Sequence, residues 1–225
     1  MELTVLAQWL NDTFASFDHS ILAFFHWLAT TCGDILTPVF KVITFTGEGG
    51  WLFIVIALAL LMFAKTRRSG VSMALAIILG AVVTNVLLKN IVARPRPYEM
   101  VADFRTWWEY MGSIVMSDKS FPSGHTNIAS TAIVGLWLSF SGKKRAIWAS
   151  PLFIFIILMG MSRLYLVVHY PTDVIGGLIF GSLCGVLAYF LTNYIYRKIN
   201  NSDGKFARFV KTADIRQIFR KTKGE

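Results

Sequence analysis

The stretch "SRLYLVVHYPTDVIGG" (162–177) decides how this chain folds. It lies between two apolar runs, 146–168 and 174–195. Each is long enough to cross a bilayer core about 30 Å thick as a helix, the form that pairs its own backbone polar groups in lipid. Pro171 forces a turn between the runs, because proline lacks an N–H and disfavours helix at the residue before it. The same stretch carries charge where charge is expensive. Arg163 sits inside the first run, at roughly 2.5–3.5 kcal/mol or more for a helix centre, and His169 and Asp173 follow it.

Outward from this turn, residues 71–88 form a third apolar run that tolerates Gly80, and 51–64 and 126–140 become spans once their flanks join in. Five crossings follow. Residues 19–45 are apolar but broken by Asp34, Pro38 and Lys41, and they fit either a sixth, irregular span or helices lying at the interface. The predicted fold class is all-α, an integral membrane bundle of five to six helices. A hydrophobic content of 55% over 225 residues supports it. Cys184 lies within an apolar run, so no disulfide with Cys32 is expected. The first eighteen residues have neither a basic region nor an unbroken apolar core, so they do not read as a cleavable signal peptide.

The net charge of +9 comes without any nucleic-acid motif, and membrane topology accounts for it. "KTRRSG" (65–70), "SGKKRA" (141–146) and the tail from Arg197 hold fifteen of the 22 basic residues. Alternating crossings put all three on one side, predicted to be cytoplasmic. The opposite side then receives "KNIVARPRP" (89–97), "FPSGHT" (121–126) and "SRLYLVVHYPTD" (162–173).

Each of these three clusters is polar and abuts a helix end. Pro95 and Pro97 hold Arg94 and Arg96 on extended backbone after Lys89, an arrangement that also fits a basic anchor at a helix end. Ser123, Gly124 and His125 lead into an apolar helix whose first N–H groups and dipole suit an anion, although an ordinary cap has the same look. Asp173 can fix the tautomer of His169. Together the clusters supply cations, an anion-binding helix start and two histidines, which suits phosphate and acid–base or nucleophilic work. No carboxylate pair or His/Cys spacing suggests a metal, and no cofactor is implied.

Lys89-x6-Arg96-Pro97, Pro122-Ser123-Gly124-His125 and Ser162-Arg163-x5-His169-x3-Asp173 resemble the three-part signature of the type 2 phosphatidic acid phosphatases. The resemblance covers roughly residues 45–195. It implies an acid-phosphatase/haloperoxidase-like helical core with an outward-facing site and metal-independent chemistry. It implies His169 as a nucleophile forming a phosphohistidine, Asp173 as its orienting partner, and His125 as the acid and then the base. Lys89, Arg96, Ser123, Gly124 and Arg163 would bind the phosphoryl oxygens. Arg94 lies outside the signature and its role stays open.

The expected division is an interfacial or irregular membrane segment at 1–50, a catalytic transmembrane domain at 51–196 and a basic cytoplasmic tail at 197–225. The expected partners are the bilayer and a lipid phosphate, best undecaprenyl diphosphate, with phosphatidylglycerol phosphate and phosphatidic acid as alternatives. A lipid phosphotransferase and a non-enzymatic lipid transporter are further alternatives, the transporter having no need of both histidines and Asp173. Trp107 and Trp108 are candidates for a lipid entrance. In the tail, Phe206, Phe209, Val210 and Ala213 share a helical face among basic residues that suits the anionic leaflet, while Ile215 and Phe219 fall off it, so a partly disordered tail fits equally well.

Overall fold

A computed structural model describes residues 2–216. The described residues are almost entirely helical: α1 Val5–Thr13, α2 Ala15–Gly47, α3 Trp51–Leu61, α4 Arg67–Ala81, α5 Lys89–Val92, α6 Pro97–Met100, α7 Ala102–Tyr110, α8 Gly124–Ser139, α9 Gly142–Tyr165, α10 Pro171–Asn200 and α11 Lys205–Thr212. A wider π-helical segment, Val82–Leu88, joins α4 to α5. Four helical stretches are long and apolar enough to cross a membrane: Ala15–Leu61, Arg67–Met100, Gly142–Tyr165 and Pro171–Asn200.

The shorter α8 is the centre of the bundle, packed by α4, α9 and α10. That enclosure explains why it carries Thr126, Asn127, Ser130 and Thr131 and yet stays buried, since those groups meet protein rather than lipid. Thr131 donates to the Gly181 carbonyl at 2.9 Å, and Ser72 of α4 to that of Gly135 at 2.8 Å. A stripe of glycines on α10 lets the two backbones touch. A Cβ at Gly177, Gly181 or Gly185 would stand 2.6–2.9 Å from a carbonyl oxygen of Ser123, Asn127 or Thr131. Gly177, Gly181 and Gly185 recur every four residues, which sets them on one face of α10.

The N-terminal third is held against the end of the bundle that carries the three motifs. α2 is a 33-residue helix bent at Cys32, where φ and ψ leave the helical range. Near its start Asp18 accepts from the Thr172 backbone N–H, and near its end Thr44 accepts from Arg163. Gly47 closes the helix beside Met159 and His125, leaving no room for a Cβ. Both ends of α2 therefore reach the motif end.

At the opposite end, Arg67 donates to the Val210 and Ala213 carbonyls and ties α11 to the start of α4. Phe206 and Phe209 are exposed, Val210 and Ala213 are half-buried, and Ala207 is buried. Phe219 and the rest of 217–225 lie outside the described residues.

Candidate active site

Three separate terminations bring the motifs together. The α4–α5 helix stops at Ala93, which takes a left-handed conformation (φ +49°), and the chain runs on as extended backbone until Pro97 opens α6. Glu99, in the first turn of α6, accepts from the Arg96 backbone N–H at 2.7 Å and holds that turn. The α9–α10 link is built alike. Pro171 opens α10, and Asp173 in its first turn accepts from the Tyr170 N–H at 2.9 Å. Within the link, Val167 has φ +54°, a strained state for a β-branched residue that costs on the order of 1–3 kcal/mol. His169 is presented by this tight turn.

A cavity of about 560 Å³ opens where these turns meet, lined among others by Lys89, Arg96, Asp118, Gly124, His125 and His169. Behind this lining and buried, Asp173 lies against His169, Ser123 bonds the Asp173 carbonyl, and Arg163 reaches Met116 of the cavity wall. Every residue expected from the three motifs is thus at one place, though not all in the role a single motif suggests. Ser123 occupies the cap position of α8, but its hydroxyl accepts from Thr126 at 3.1 Å instead of capping the backbone. Its own N–H donates to the Asp173 carbonyl at 3.0 Å and so ties the second motif to the third. The first helical N–H pairing of α8 is Asn127 to Ser123, leaving the earlier N–H groups without helical partners at the positive end of the helix. The Lys89 ammonium is 3.6 Å from where a Gly124 Cβ would stand.

The partners of His169 define its tautomer. Arg96, which only donates, lies 3.1 Å from His169 Nε2, so Nε2 carries the lone pair. The proton is then on Nδ1, 3.4 Å from Asp173 Oδ2 and 3.4 Å from the Ser120 hydroxyl. These two are long contacts for a hydrogen bond, whereas Ser120 donates to the same Asp173 oxygen at 2.5 Å. Burial, and then the charges of Arg96, Arg163 and Lys89, hold the His169 pKa well below its ordinary value of 6.5, with Asp118 opposing. The imidazole is therefore neutral at pH 7, with its lone pair on the cavity side.

Asp118 is a cavity residue that motif reading missed. Its carboxylate bridges the Lys89 ammonium and the Arg96 guanidinium, the latter at 2.5 Å. Burial alone would raise its pKa, but the hydrogen bonds and charges of Lys89 and Arg96 outweigh that and bring it down to about 2. An acid in the loop before "FPSGHT" was readable, but nothing in the sequence paired it with two cations 22 and 29 positions earlier. Arg163 leaves its Nε without a hydrogen-bond partner among the described residues although it is buried. An unpaired guanidinium N–H beside two other cations is what an anion with several oxygens would satisfy.

Arg94 has a place of its own. Fully buried, it donates to Asp173 Oδ1 at 2.8 Å, Thr172 at 2.7 Å, Asp18 at 2.9 Å and Asn11 at 2.8 Å. Its guanidinium lies 3.7 Å over the Tyr170 ring. Trp107 and Trp108, expected at a lipid entrance, are half-buried: Trp107 stacks on His26 with centroids 5.0 Å apart, and Trp108 on Tyr98 at 4.3 Å.

The chain resembles known proteins in both sequence and shape. It is 31% identical over 138 residues to an undecaprenyl-diphosphatase of Sulfolobus acidocaldarius, covering 61% of this chain and 62% of that protein. It is 32% identical over 136 residues to undecaprenyl-diphosphatase BcrC of Bacillus subtilis, covering 60% and 65%. It thus spans less than two thirds of the length of these curated relatives. The crystal structure of a transmembrane PAP2 type phosphatidylglycerolphosphate phosphatase from Bacillus subtilis superposes with a TM-score of 0.63 at 27% identity, over 87% of this chain and 92% of that one. Residues 69–197, which include all three motifs and more than half of the sequence, match the PAP2 superfamily, and the chain belongs to that superfamily.

Proposed function

We propose that this protein is a multi-pass membrane phosphatase that removes a phosphoryl group from a lipid phosphate or diphosphate, best undecaprenyl diphosphate, through a phosphohistidine. The observation that carries the reading is His169 itself: a neutral imidazole whose Nε2 lone pair is held by Arg96 at the wall of a cavity that also contains His125 and Lys89. In this reading the substrate phosphoryl oxygens take the donors of Lys89, Arg96 and Arg163 and the first N–H groups of α8. Releasing Arg96 to an oxygen frees Nε2 to attack phosphorus.

The N–P bond forms as the bond to the leaving oxygen breaks, and His125, protonated once the anionic substrate offsets the burial and cations that lower its pKa in the free site, gives that oxygen a proton. The imidazole becomes cationic, and Asp173 stabilises it from Nδ1. Neutral His125 then takes a proton from water, whose oxygen attacks phosphorus while the N–P bond breaks and inorganic phosphate leaves. The cations act chiefly on charge developing on the equatorial oxygens. Undecaprenyl diphosphate is favoured because the two curated relatives described above carry that activity in their names. The fold shared with a phosphatidylglycerolphosphate phosphatase makes that lipid the second candidate. The placement of basic segments supports a cavity on the external face and a cytoplasmic tail.

The test is release of inorganic phosphate by detergent-purified protein, with a chelator present, from undecaprenyl diphosphate, phosphatidylglycerol phosphate and phosphatidic acid. Release by wild type that is abolished in His169→Ala supports the reading and ranks the lipids. Equal release by both proteins, or none from any lipid, overturns it.

A further inference from the structure

We infer that Asp18 and Arg94 are positioning residues for the His169–Asp173 pair, and that helix α2 is thereby part of the catalytic apparatus. The inference rests on the proposed role of His169 and Asp173 given above. Asp173 has two carboxylate oxygens with divided duties. Oδ2 serves the His169 side, accepting from Ser120 and the Tyr170 N–H and lying nearest His169 Nδ1. Oδ1 is bonded by Arg94 at 2.8 Å, so rotation of the carboxylate away from His169 would break that bond.

Arg94 has no freedom to follow. Its other donors are taken by Asn11, Thr172 and Asp18, and its face lies on Tyr170. Asp18 is itself 2% exposed and uses both oxygens, one on the Thr172 N–H and the other shared by Arg94 and the Thr172 hydroxyl. Thr172 and Asp173 are consecutive in the first turn of α10. The pair from α2 and the α5–α6 turn therefore grips the helix start that carries the orienting carboxylate.

The charges are coupled as well as the geometry. Arg94 partly neutralises Asp173, and Asp18 partly neutralises Arg94. Removing Arg94 exposes His169 to more of the Asp173 charge, which favours the imidazolium and raises the pKa of His169. Removing the Asp18 charge leaves Arg94 stronger and lowers it. The imidazolium cannot attack, so the acid limb of kcat/KM moves to higher pH in Arg94→Met and to lower pH in Asp18→Asn, by about half a unit each.

The experiment measures phosphate release against pH for wild type, Arg94→Met, Arg94→Lys and Asp18→Asn, with the Ki of inorganic phosphate as a separate report on the cation site. The expected result is kcat lowered about ten- to a hundredfold in Arg94→Met, KM and Ki within threefold of wild type, limbs displaced in opposite directions, and partial recovery in Arg94→Lys. Unchanged kcat and limbs would overturn the inference. So would Ki rising in step with the loss of kcat, which would assign the network to folding alone. An inactive wild type, or an active His169→Ala, would instead sink the reading on which the inference rests.

Discussion

Arg94 and Arg96 stand two residues apart on one extended turn, and they grip the His169–Asp173 pair from its two ends. Arg96 reaches His169 Nε2, the Val168 carbonyl and Asp118 at the cavity of the three motifs. Arg94 reaches Asp173 Oδ1 and Asp18, and borders a different cavity of about 580 Å³ lined also by His19, Phe104 and Tyr170. Arg96 meets a carboxylate whose side chain is 44% exposed, a partner that an incoming anion can replace. Arg94 meets two carboxylates that are at most 2% exposed. Removing one member of such a buried group leaves charge uncompensated, a loss of about 3–5 kcal/mol in comparable cases. In the proposed mechanism, identical side chains two positions apart on one turn thus divide into one that meets substrate and one that holds the frame.

The strongest way to break this contrast is Arg96→Ala. It removes a donor aimed at developing charge, and kcat/KM is expected to fall by on the order of 10³ in the phosphate-release assay, well beyond the effect of Arg94→Met. A smaller loss than in Arg94→Met would reverse the assignment of the two arginines.

Asp118→Asn sharpens the replaceable side of the comparison. With its pKa at about 2, Asp118 is anionic at any working pH and competes with phosphate for Lys89 and Arg96. Its neutral isostere is expected to lower the Ki of inorganic phosphate about three- to tenfold. An unchanged or higher Ki would show that Asp118 organises the cations without competing.

The pH profile comes next. Because the pKa of His169 lies below 6.5, its attacking form is present at pH 7 and is lost only as pH falls through the lowered value. The acid limb of wild-type kcat/KM is expected to lie below pH 6.5, and that of the residual activity in Arg96→Gln at higher pH, since the Arg96 charge, the largest influence on His169 after burial, is gone.

The smallest catalytic effect is expected from Gly181→Ala, which touches neither arginine. Its Cβ would stand 2.6 Å from the Asn127 carbonyl oxygen, and overpacking of this kind costs roughly 1–3 kcal/mol. Thermal unfolding in detergent should shift down by several degrees while kcat changes less than twofold. A kcat loss comparable to that of Arg94→Met would mean that bundle packing, and not the buried charge network, sets the geometry of the pair.

Much of this molecule was legible in one dimension. The apolar runs at 146–168 and 174–195 became α9 and α10, and 71–88, 126–140 and 51–64 lie on the helical segments around α4, α8 and α3. Each is a local consequence of length and hydropathy, and Pro95, Pro97 and Pro171 act on their own backbone. Lys89, Arg96, Gly124, His125 and His169 were identified because their motifs are short and each abuts a helix end. Asp18, Thr44, Asp118 and Ser120 were not, because each acts on a group between 22 and 154 residues away.

The sequence by itself determined that this is a helical membrane chain with cations and two histidines at one level, because burial of apolar backbone and the turn chemistry of proline are decided within a few neighbours. Only the tertiary structure decided what Arg94 holds, which nitrogen of His169 carries the lone pair, and that α2 braces Asp173. Hydrogen bonds and charge pairs act over about 3 Å in space, and separation along the chain carries no record of that distance.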